Sequence, residues 1–363
     1  MPEIHAARRA RAQAQLAELE ADAVLVTAGP NVRYLTGLAS SNAALLLPVT
    51  EPGLLATDSR YELAARRDAP DLELTVGRFI EPLLAAEAAR RGLRRIAVET
   101  HDLTVDRYEG IAAAAENASL VSFHRKIEDL RAVKDPSELE LLATACRITD
   151  QAFADVLPQI RPGLSERALA AALDHRMAEL GAEQPSFGTI VASGPNGALP
   201  HHVPSGRPLR RGDLITMDFG ALFAGYHADM TRTVALGEPA GWQRDVYELV
   251  AAAQQAGVVA ARPGAALREV DAAARDLIAE AGHGEHFGHG LGHGVGLEVH
   301  EAPMIGHGST GKLEDRVAVT VEPGVYLPGQ GGVRIEDVLI VGAGAADGTA
   351  QILTTTTKEL LAL

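Results

Sequence analysis

The tripeptide Arg161-Pro162-Gly163 returns as Arg262-Pro263-Gly264, and this repeat constrains the fold more than any other feature of the chain. At the same offset of 101 residues, Arg167 matches Arg268 and Gly181 matches Gly282. Proline fixes its own φ and removes an N–H, while glycine admits left-handed backbone, so Arg-Pro-Gly reads as a stiff turn. In both copies helix-like sequence enters the turn, and an alanine-rich helical stretch leaves it for the later glycine. Strand-like sequence follows each copy, and then an acidic hairpin. Asp218 and Asp229 follow the first copy, and Glu322 and Glu336 follow the second. The pattern predicts two related halves, each lending a pair of carboxylates to a shared cleft.

The first hairpin can be counted. With Ala224-Gly225 as a two-residue turn, Phe223 pairs with Tyr226 and Asp218 lies opposite Thr231. Asp229 is then two residues from Thr231, on the same face, because strand side chains alternate. The two aspartates become diagonal neighbours, about 7–8 Å apart at Cα, with room for metal between them. Gly220 allows close approach of backbone or ligand. In the second hairpin the turn lies within Pro328-Gly329-Gln330-Gly331-Gly332, and its length leaves the register of Glu322 and Glu336 open. The loop His289-Gly290-Leu291-Gly292-His293-Gly294 adds imidazoles. Asp218, Asp229, His293, Glu322 and Glu336 together offer four carboxylates and one imidazole, enough to neutralise two divalent cations. Such donors suit manganese, with cobalt or zinc as alternatives. A metal pair about 3.5–4 Å apart activates water against a carbonyl or phosphoryl group.

Bulk properties narrow the partners. The 363 residues carry a formal charge of −15, which argues against nucleic acid. The densest basic run, Arg8-Arg9-Ala10-Arg11, is expected to form a solvated helix face. Cys146 is the only cysteine, so a reducing compartment fits and the cytoplasm is the expected location. No apolar run is long enough to span a bilayer, and the N-terminus lacks the order of a signal peptide. Residues 1–128 read as a small mixed α/β domain. Strands are expected at 23–26, 45–47, 54–56 and 95–98, and helices at 6–19, 85–91 and 111–116. Gly29-Pro30 is read as ending the first strand, and Asp58-Ser59-Arg60-Tyr61 as an Asp-capped turn. Residues 130–137 are read as a linker, with Pro136 opening a helix that runs to about residue 157. Residues 129–363 form the second domain, and the whole is α+β.

Several motifs arrive in one order. They are Pro195-Asn196 with Pro200-His201-His202, then Gly212-Asp213-Leu214, Asp218-Phe219-Gly220, and Asp229 with Thr231-Arg232-Thr233. His289, His293, Val299-His300-Glu301, Glu322-Pro323-Gly324 and Gly332-Val333-Arg334-Ile335-Glu336-Asp337 continue it. This set resembles the metallopeptidase family of aminopeptidase P, prolidase and methionine aminopeptidase, whose catalytic domain has the pseudo-two-fold pita-bread fold. Asn31-Val32-Arg33-Tyr34-Leu35-Thr36-Gly37 resembles the first domain of the aminopeptidase P and prolidase branch.

The resemblance implies that Asp218, Asp229, His293, Glu322 and Glu336 hold two divalent metal ions. It implies that His201 contacts substrate or a developing oxyanion, although adjacent His202 competes for that role, and that His300 stands beside the leaving amine. His289 is a candidate pocket residue. Arg334, two residues before Glu336, shares its strand face and is expected to bind a carboxylate. Glu322 is the expected proton carrier. Tyr226 and Asp337 are weaker candidates with ordinary structural readings. The implied activity is hydrolysis of the Xaa–Pro bond, as an aminopeptidase P acting on longer peptides or a prolidase acting on dipeptides. The implied assembly is a homodimer. A metal-free creatinase-like C–N hydrolase and a non-catalytic peptide binder are the rival classes, and both predict lost ligands. Other motifs fail. Gly306-His307-Gly308-Ser309-Thr310-Gly311-Lys312 lacks the Ser or Thr that ends a phosphate loop. His300-Glu301-Ala302-Pro303-Met304 lacks the second histidine of a zinc-peptidase helix. Cys146 reads as a core residue.

Overall fold

The computed structural model describes residues 2–343 and 348–363. The chain divides into two compact units, residues 1–131 and 132–363. Among the described residues, no helix is long and apolar enough to cross a membrane.

The first unit is built on six strands: β1 Ala23–Val26, β2 Ala43–Pro48, β3 Leu54–Thr57, β4 Glu73–Val76, β5 Arg95–Val98 and β6 Ser119–Ser122. Their order is β4-β3-β2-β1-β5-β6. The β1–β2 and β2–β3 pairs are antiparallel, whereas β1–β5, β5–β6 and β3–β4 are parallel. Strands β1 and β3 are buried throughout, which suits their apolar runs. Ile80, Leu84, Ala85 and Ala88 of one helix and Ile111 and Ala115 of another pack onto the sheet. Asp58 accepts the Arg60 backbone N–H and guanidinium, as expected of an Asp-held turn.

In this unit one expectation is extended and another fails in part, each for an identifiable reason. Gly29-Pro30 opens a helix, Gly29–Thr36, instead of only ending β1, because proline is well suited to the first helical turn. The buried Glu99 carboxylate accepts the Thr27 and Ala28 N–H groups just ahead of that helix. The basic run is solvated only in part, with Ala10 and Arg11 exposed and the first two arginines buried. Arg8 and Arg9 are 4% and 6% exposed. Arg8 lies over the Tyr34 ring and donates to the Tyr34 carbonyl, and Arg9 donates to the Leu35 carbonyl and pairs with Asp71. Two orphan carbonyls at the end of the Gly29–Thr36 helix therefore recruit the guanidinium groups.

The second unit shows the duplication directly. Helices Glu166–Glu179 and Leu267–Glu280 are both 14 residues long. Gly163 and Gly264 take φ of 89° and 83°, and Gly181 and Gly282 take 104° and 84°, so each pair fills one left-handed position. Gly163 N–H bonds the Leu209 carbonyl as Gly264 N–H bonds that of Leu313. Ahead of the first copy, Asp135 and Glu138 form a capping box around Pro136, opening the helix Pro136–Val156. Cys146 is fully buried in it.

Each copy leads into a hairpin. In the first, Phe223 pairs with Tyr226 and Asp218 with Thr231, the expected register. Ala224 and Gly225 have φ of 48° and 84°, which marks the two-residue turn that matches strand twist. In the second, Leu327 pairs with Gly331, so the turn is Pro328-Gly329-Gln330. Val321 pairs with Asp337 and Gly324 with Arg334 in the same register, which brackets Glu322 and Glu336 between two paired segments.

Gly220 has no alternative, since a Cβ there would lie 1.8 Å from the Ala228 carbonyl oxygen. Gly220→Ala is expected to destabilise the protein by more than about 2 kcal/mol. Gly241→Ala, at a helix start with open space around it, is expected to be neutral or mildly stabilising. Urea unfolding of both variants checks the pair.

Candidate metal centre

Backbone pairing delivers all five expected ligands to one place. Asp218 lies on strand Leu214–Phe219, and Asp229 immediately precedes its partner Met230–Ala235. Glu322 follows strand Ala318–Val321, Glu336 precedes Asp337–Ile340, and His293 is the middle residue of Gly292–Gly294. All five line one cavity of about 540 Å³, together with His201, His289, His300, Tyr326 and Arg334. Phe187, Ile190, Met304 and Ile305 add an apolar wall.

The electrostatics of this cluster are unresolved by protein alone. Ligand atoms of Asp229, His293 and Glu336 lie within 4.8 Å of one another. His293 Nε2 is 3.6 Å from Asp229 Oδ2 and 3.4 Å from Glu322 Oε1. Its Nδ1 sits 3.0 Å from the Gly294 carbonyl, so Nδ1 carries the proton and Nε2 turns a lone pair toward the carboxylates. Among the described residues, Asp218 Oδ1, Asp229 Oδ1 and Glu336 Oε1 are buried with no hydrogen-bond donor. Burial, then the charges of Glu336, Asp218 and Glu322, push the Asp229 carboxyl well above the usual range. Burial and Glu336 do the same to Glu322, against the pull of Arg334. Glu336 is raised to about 8 by burial and by Asp218. Orphaned oxygens and an imidazole lone pair pointing inward are what a cation site requires, and the donor set fits hard divalent ions.

The surrounding groups are tied into a network. Arg334 donates to Asp218 Oδ2 at 2.7 Å, to Thr231 Oγ1 at 3.1 Å and to the Tyr326 hydroxyl at 2.9 Å. Burial opposes its charge, but the carboxyl groups of Asp218, Glu322 and Glu336 hold the guanidinium firmly protonated. His289 Nε2 meets the same Tyr326 hydroxyl at 2.9 Å. Thr231 Oγ1 donates to Glu336 Oε2 at 2.7 Å. The His300 ring packs edge-on against His293, 4.4 Å between centroids. Burial lowers His289 and His293 to about 4 and also lowers His300, so the imidazoles are neutral near pH 7.

The structure separates the two adjacent histidines. His201 lines the cavity. His202 turns away and bonds Glu166 Oε2 at 2.9 Å. Tyr226 donates to Glu138 and does not line the cavity. Asp337 is bound by Arg232, Lys358, Gln254 and Thr354, outside the cavity lining. Sequence reasoning passed over Tyr326. On the Gly324–Leu327 strand it pairs with Gly332, two residues from Arg334, in a register that the ambiguous turn length had left open.

Residues 140–343 match metallopeptidase family M24, and residues 8–133 match the Creatinase/Prolidase N-terminal domain. The chain belongs to metallopeptidase family M24. The Xaa-Pro dipeptidase of Pyrococcus horikoshii is 37% identical over 94% of this chain and 94% of its own. The structure of an Xaa-Pro dipeptidase from Bacillus anthracis superposes with a TM-score of 0.94 at 38% identity, covering 99% of this chain and 100% of that one. An X-Pro aminopeptidase from Thermotoga maritima gives 0.90 at 35% identity, over 98% and 99%. The second unit is thus a pita-bread metallopeptidase domain, preceded by a creatinase/prolidase-type domain.

The raised carboxyls carry a stability consequence. In the folded, metal-free protein Glu336 keeps its proton from the ordinary value of 4.5 up to about 8, where the unfolded chain has released it. Stability of the metal-free protein therefore falls as pH rises across that window. Calorimetry in EDTA is expected to show a lower Tm at pH 8 than at pH 5.5, and Mn²⁺ to restore more than about 4 °C at pH 8. Asp229→Asn removes one buried charge. Its metal-free form is expected to match or exceed wild type at pH 8, without the metal-induced rise.

Proposed function

We propose that this chain is a metal-dependent exopeptidase that hydrolyses the peptide bond before proline. The carrying observation is the inward convergence of Asp218, Asp229, His293, Glu322 and Glu336, three of them with a buried oxygen lacking any donor. In this reading those residues hold two divalent cations, with manganese the expected pair. When bound, the cations supply Lewis acidity toward the scissile carbonyl and make water nucleophilic near neutral pH.

The chain's own groups then have distinct tasks. Glu322, a carboxyl raised by burial, takes the proton released in attack and returns it to the departing nitrogen. That nitrogen needs the proton because proline leaves as a secondary amine. His201 donates toward the carbonyl oxygen as negative charge grows there. His300, neutral and packed on His293, stands on the leaving-group side. Arg334 fixes Asp218 and Tyr326, and Tyr326 fixes His289. The apolar wall of Phe187, Ile190 and Ile305 suits a proline ring better than a charged side chain.

Two substrate lengths compete. Relatives matched over nearly their whole length include two named Xaa-Pro dipeptidases, which favours dipeptides, beside one named X-Pro aminopeptidase. Among the lining residues, however, Arg334 is the one permanent cation, and its donors are committed to Asp218, Thr231 and Tyr326. A dipeptide's free carboxylate finds no uncommitted guanidinium there, which favours longer peptides cut as by an aminopeptidase P. We place the enzyme in the cytoplasm as a homodimer, with residues 129–363 as the catalytic domain. The single buried Cys146 agrees with a reducing compartment.

A substrate panel with Mn²⁺, Co²⁺ or Zn²⁺ tests the proposal. Ala-Pro and Met-Pro dipeptides are expected to be cleaved, with Mn²⁺ the best activator. Turnover of Xaa-Pro-Xaa tripeptides alone would select the aminopeptidase reading, and cleavage of Met-Ala-Ser alone would remove proline specificity altogether. Glu322→Gln is expected to lower kcat by about 100-fold or more.

A further inference from the structure

The buried carboxylate of Glu166 is the densest hydrogen-bond acceptor close to the cavity, yet it does not line it. Glu166 is the first residue of the Glu166–Glu179 helix and is 0% exposed. Its Oε1 accepts from the Ser193 N–H at 2.8 Å, the Ser193 hydroxyl at 2.7 Å and Asn196 Nδ2 at 2.9 Å. Its Oε2 accepts from His202 Nε2 at 2.9 Å, the Ser205 N–H at 3.1 Å and the Ser205 hydroxyl at 2.6 Å. Burial alone would raise this carboxyl, but the donors from Ser193, Ser205, Asn196 and His202 hold it down at about 2.

These donors bracket one segment. Ser193 and Asn196 precede His201, and His202 and Ser205 follow it. Between them the chain is thinly held, with Leu199 and Val203 55% and 80% exposed. Among the described residues, no hydrogen bond restrains the His201 ring itself. Its direction is set by the backbone, which the His202 anchor and Pro200 orient from either side. Pro200 in turn offers its carbonyl to Arg334 at 3.4 Å.

We infer that Glu166 is a positioning residue for His201: it clamps both ends of the 193–205 segment and, by drawing His202 inward against the protein and away from the cavity lining, leaves the neighbouring imidazole facing the cavity. The chemistry of the site demands a carboxylate. Every partner of Glu166 donates, so an amide in its place would face at least one donor with another donor. The other half of the duplication uses the same device. Asp271 of the Leu267–Glu280 helix accepts the Leu291 N–H and pairs with Arg275, which donates to the Phe287 and His289 carbonyls. In each half a charged group on the helix after Arg-Pro-Gly holds the loop that bears a cavity histidine.

The role of His201 belongs to the peptidase reading above, so the test separates the two. With Mn²⁺-loaded, full-length protein and a cleaved Xaa-Pro peptide, Glu166→Gln is expected to lower kcat about 30- to 100-fold with little change in KM. Metal content should stay at the wild-type level. In a His201→Ala background the same substitution is expected to cost less than about 3-fold, because its effect runs through that imidazole. Losses that multiply in the double variant, or a Glu166→Gln protein that no longer holds metal, would overturn the inference. Should Glu166→Gln fail to fold, His202→Ala and Ser205→Ala each remove one anchor and must show the same non-additivity with His201→Ala. If wild type cleaves no Xaa-Pro peptide, the peptidase reading falls, and the positioning role is judged by NMR of metal-free protein labelled at histidine. The expected outcome is that Glu166→Gln shifts or broadens the His201 and His202 ring signals while those of His289 and His300 stay put. An unmoved His201 signal would sink it.

Discussion

Negative charge that the protein does not neutralise by itself is the constraint on which the catalytic unit turns. Asp229 and Glu336 are buried beside the half-buried Glu322 and Asp218, and among the described residues Arg334 is the one permanent cation lining their cavity. Taking carboxylates out of water costs several kcal/mol each unless a counter-charge comes with them. A fold selected for stability alone would not collect them in one place. Divalent cations bound among these oxygens would offset that cost. The imidazoles follow the same logic. Burial keeps His289 and His293 neutral, so they can offer lone pairs or single protons without adding charge.

Such a cluster needs backbone stiff enough to hold repelling groups together, and the duplicated hairpins provide it. In each half the acids sit where one paired segment gives way to the next, while the register continues across the interruption. The carboxylate pairs therefore face each other through main-chain hydrogen bonds and not through their own interactions, which are repulsive. Gly220 lets the first hairpin close, and Thr231 then links the halves by donating its hydroxyl to Glu336 and accepting the Glu336 N–H at its carbonyl.

Much of this was legible in the sequence because the signals were local or periodic. The first hairpin was countable from Ala224-Gly225, and the Arg-Pro-Gly repeat announced two halves. Where the outcome depended on partners distant in the chain, sequence reasoning lost its grip. Arg8 and Arg9 looked like a solvated face because the carbonyls that bury them belong to Tyr34 and Leu35. The choice between His201 and His202 turned on Glu166, more than thirty residues earlier. Tyr326 went unnoticed because its partners, His289 and Arg334, become neighbours only once the second hairpin's turn length is known.

The Tyr326 hydroxyl joins the carboxylate side of the cavity to its imidazole side. Arg334 donates to it while His289 shares it, and burial drives the phenol up to about 12, so it stays protonated at any working pH. With one proton to give and a guanidinium already donating to its oxygen, the hydroxyl must donate onward to His289 Nε2. His289 Nδ1 then carries that ring's proton toward the Gly290 carbonyl, 2.8 Å away. A single polar chain, Asp218–Arg334–Tyr326–His289, thus fixes donor direction at every link from a cavity carboxylate to a cavity imidazole. Charge rearrangement at Asp218 would be felt at His289 through bonds that have no alternative orientation, which makes this chain part of the site's electrostatics and not only of its scaffold.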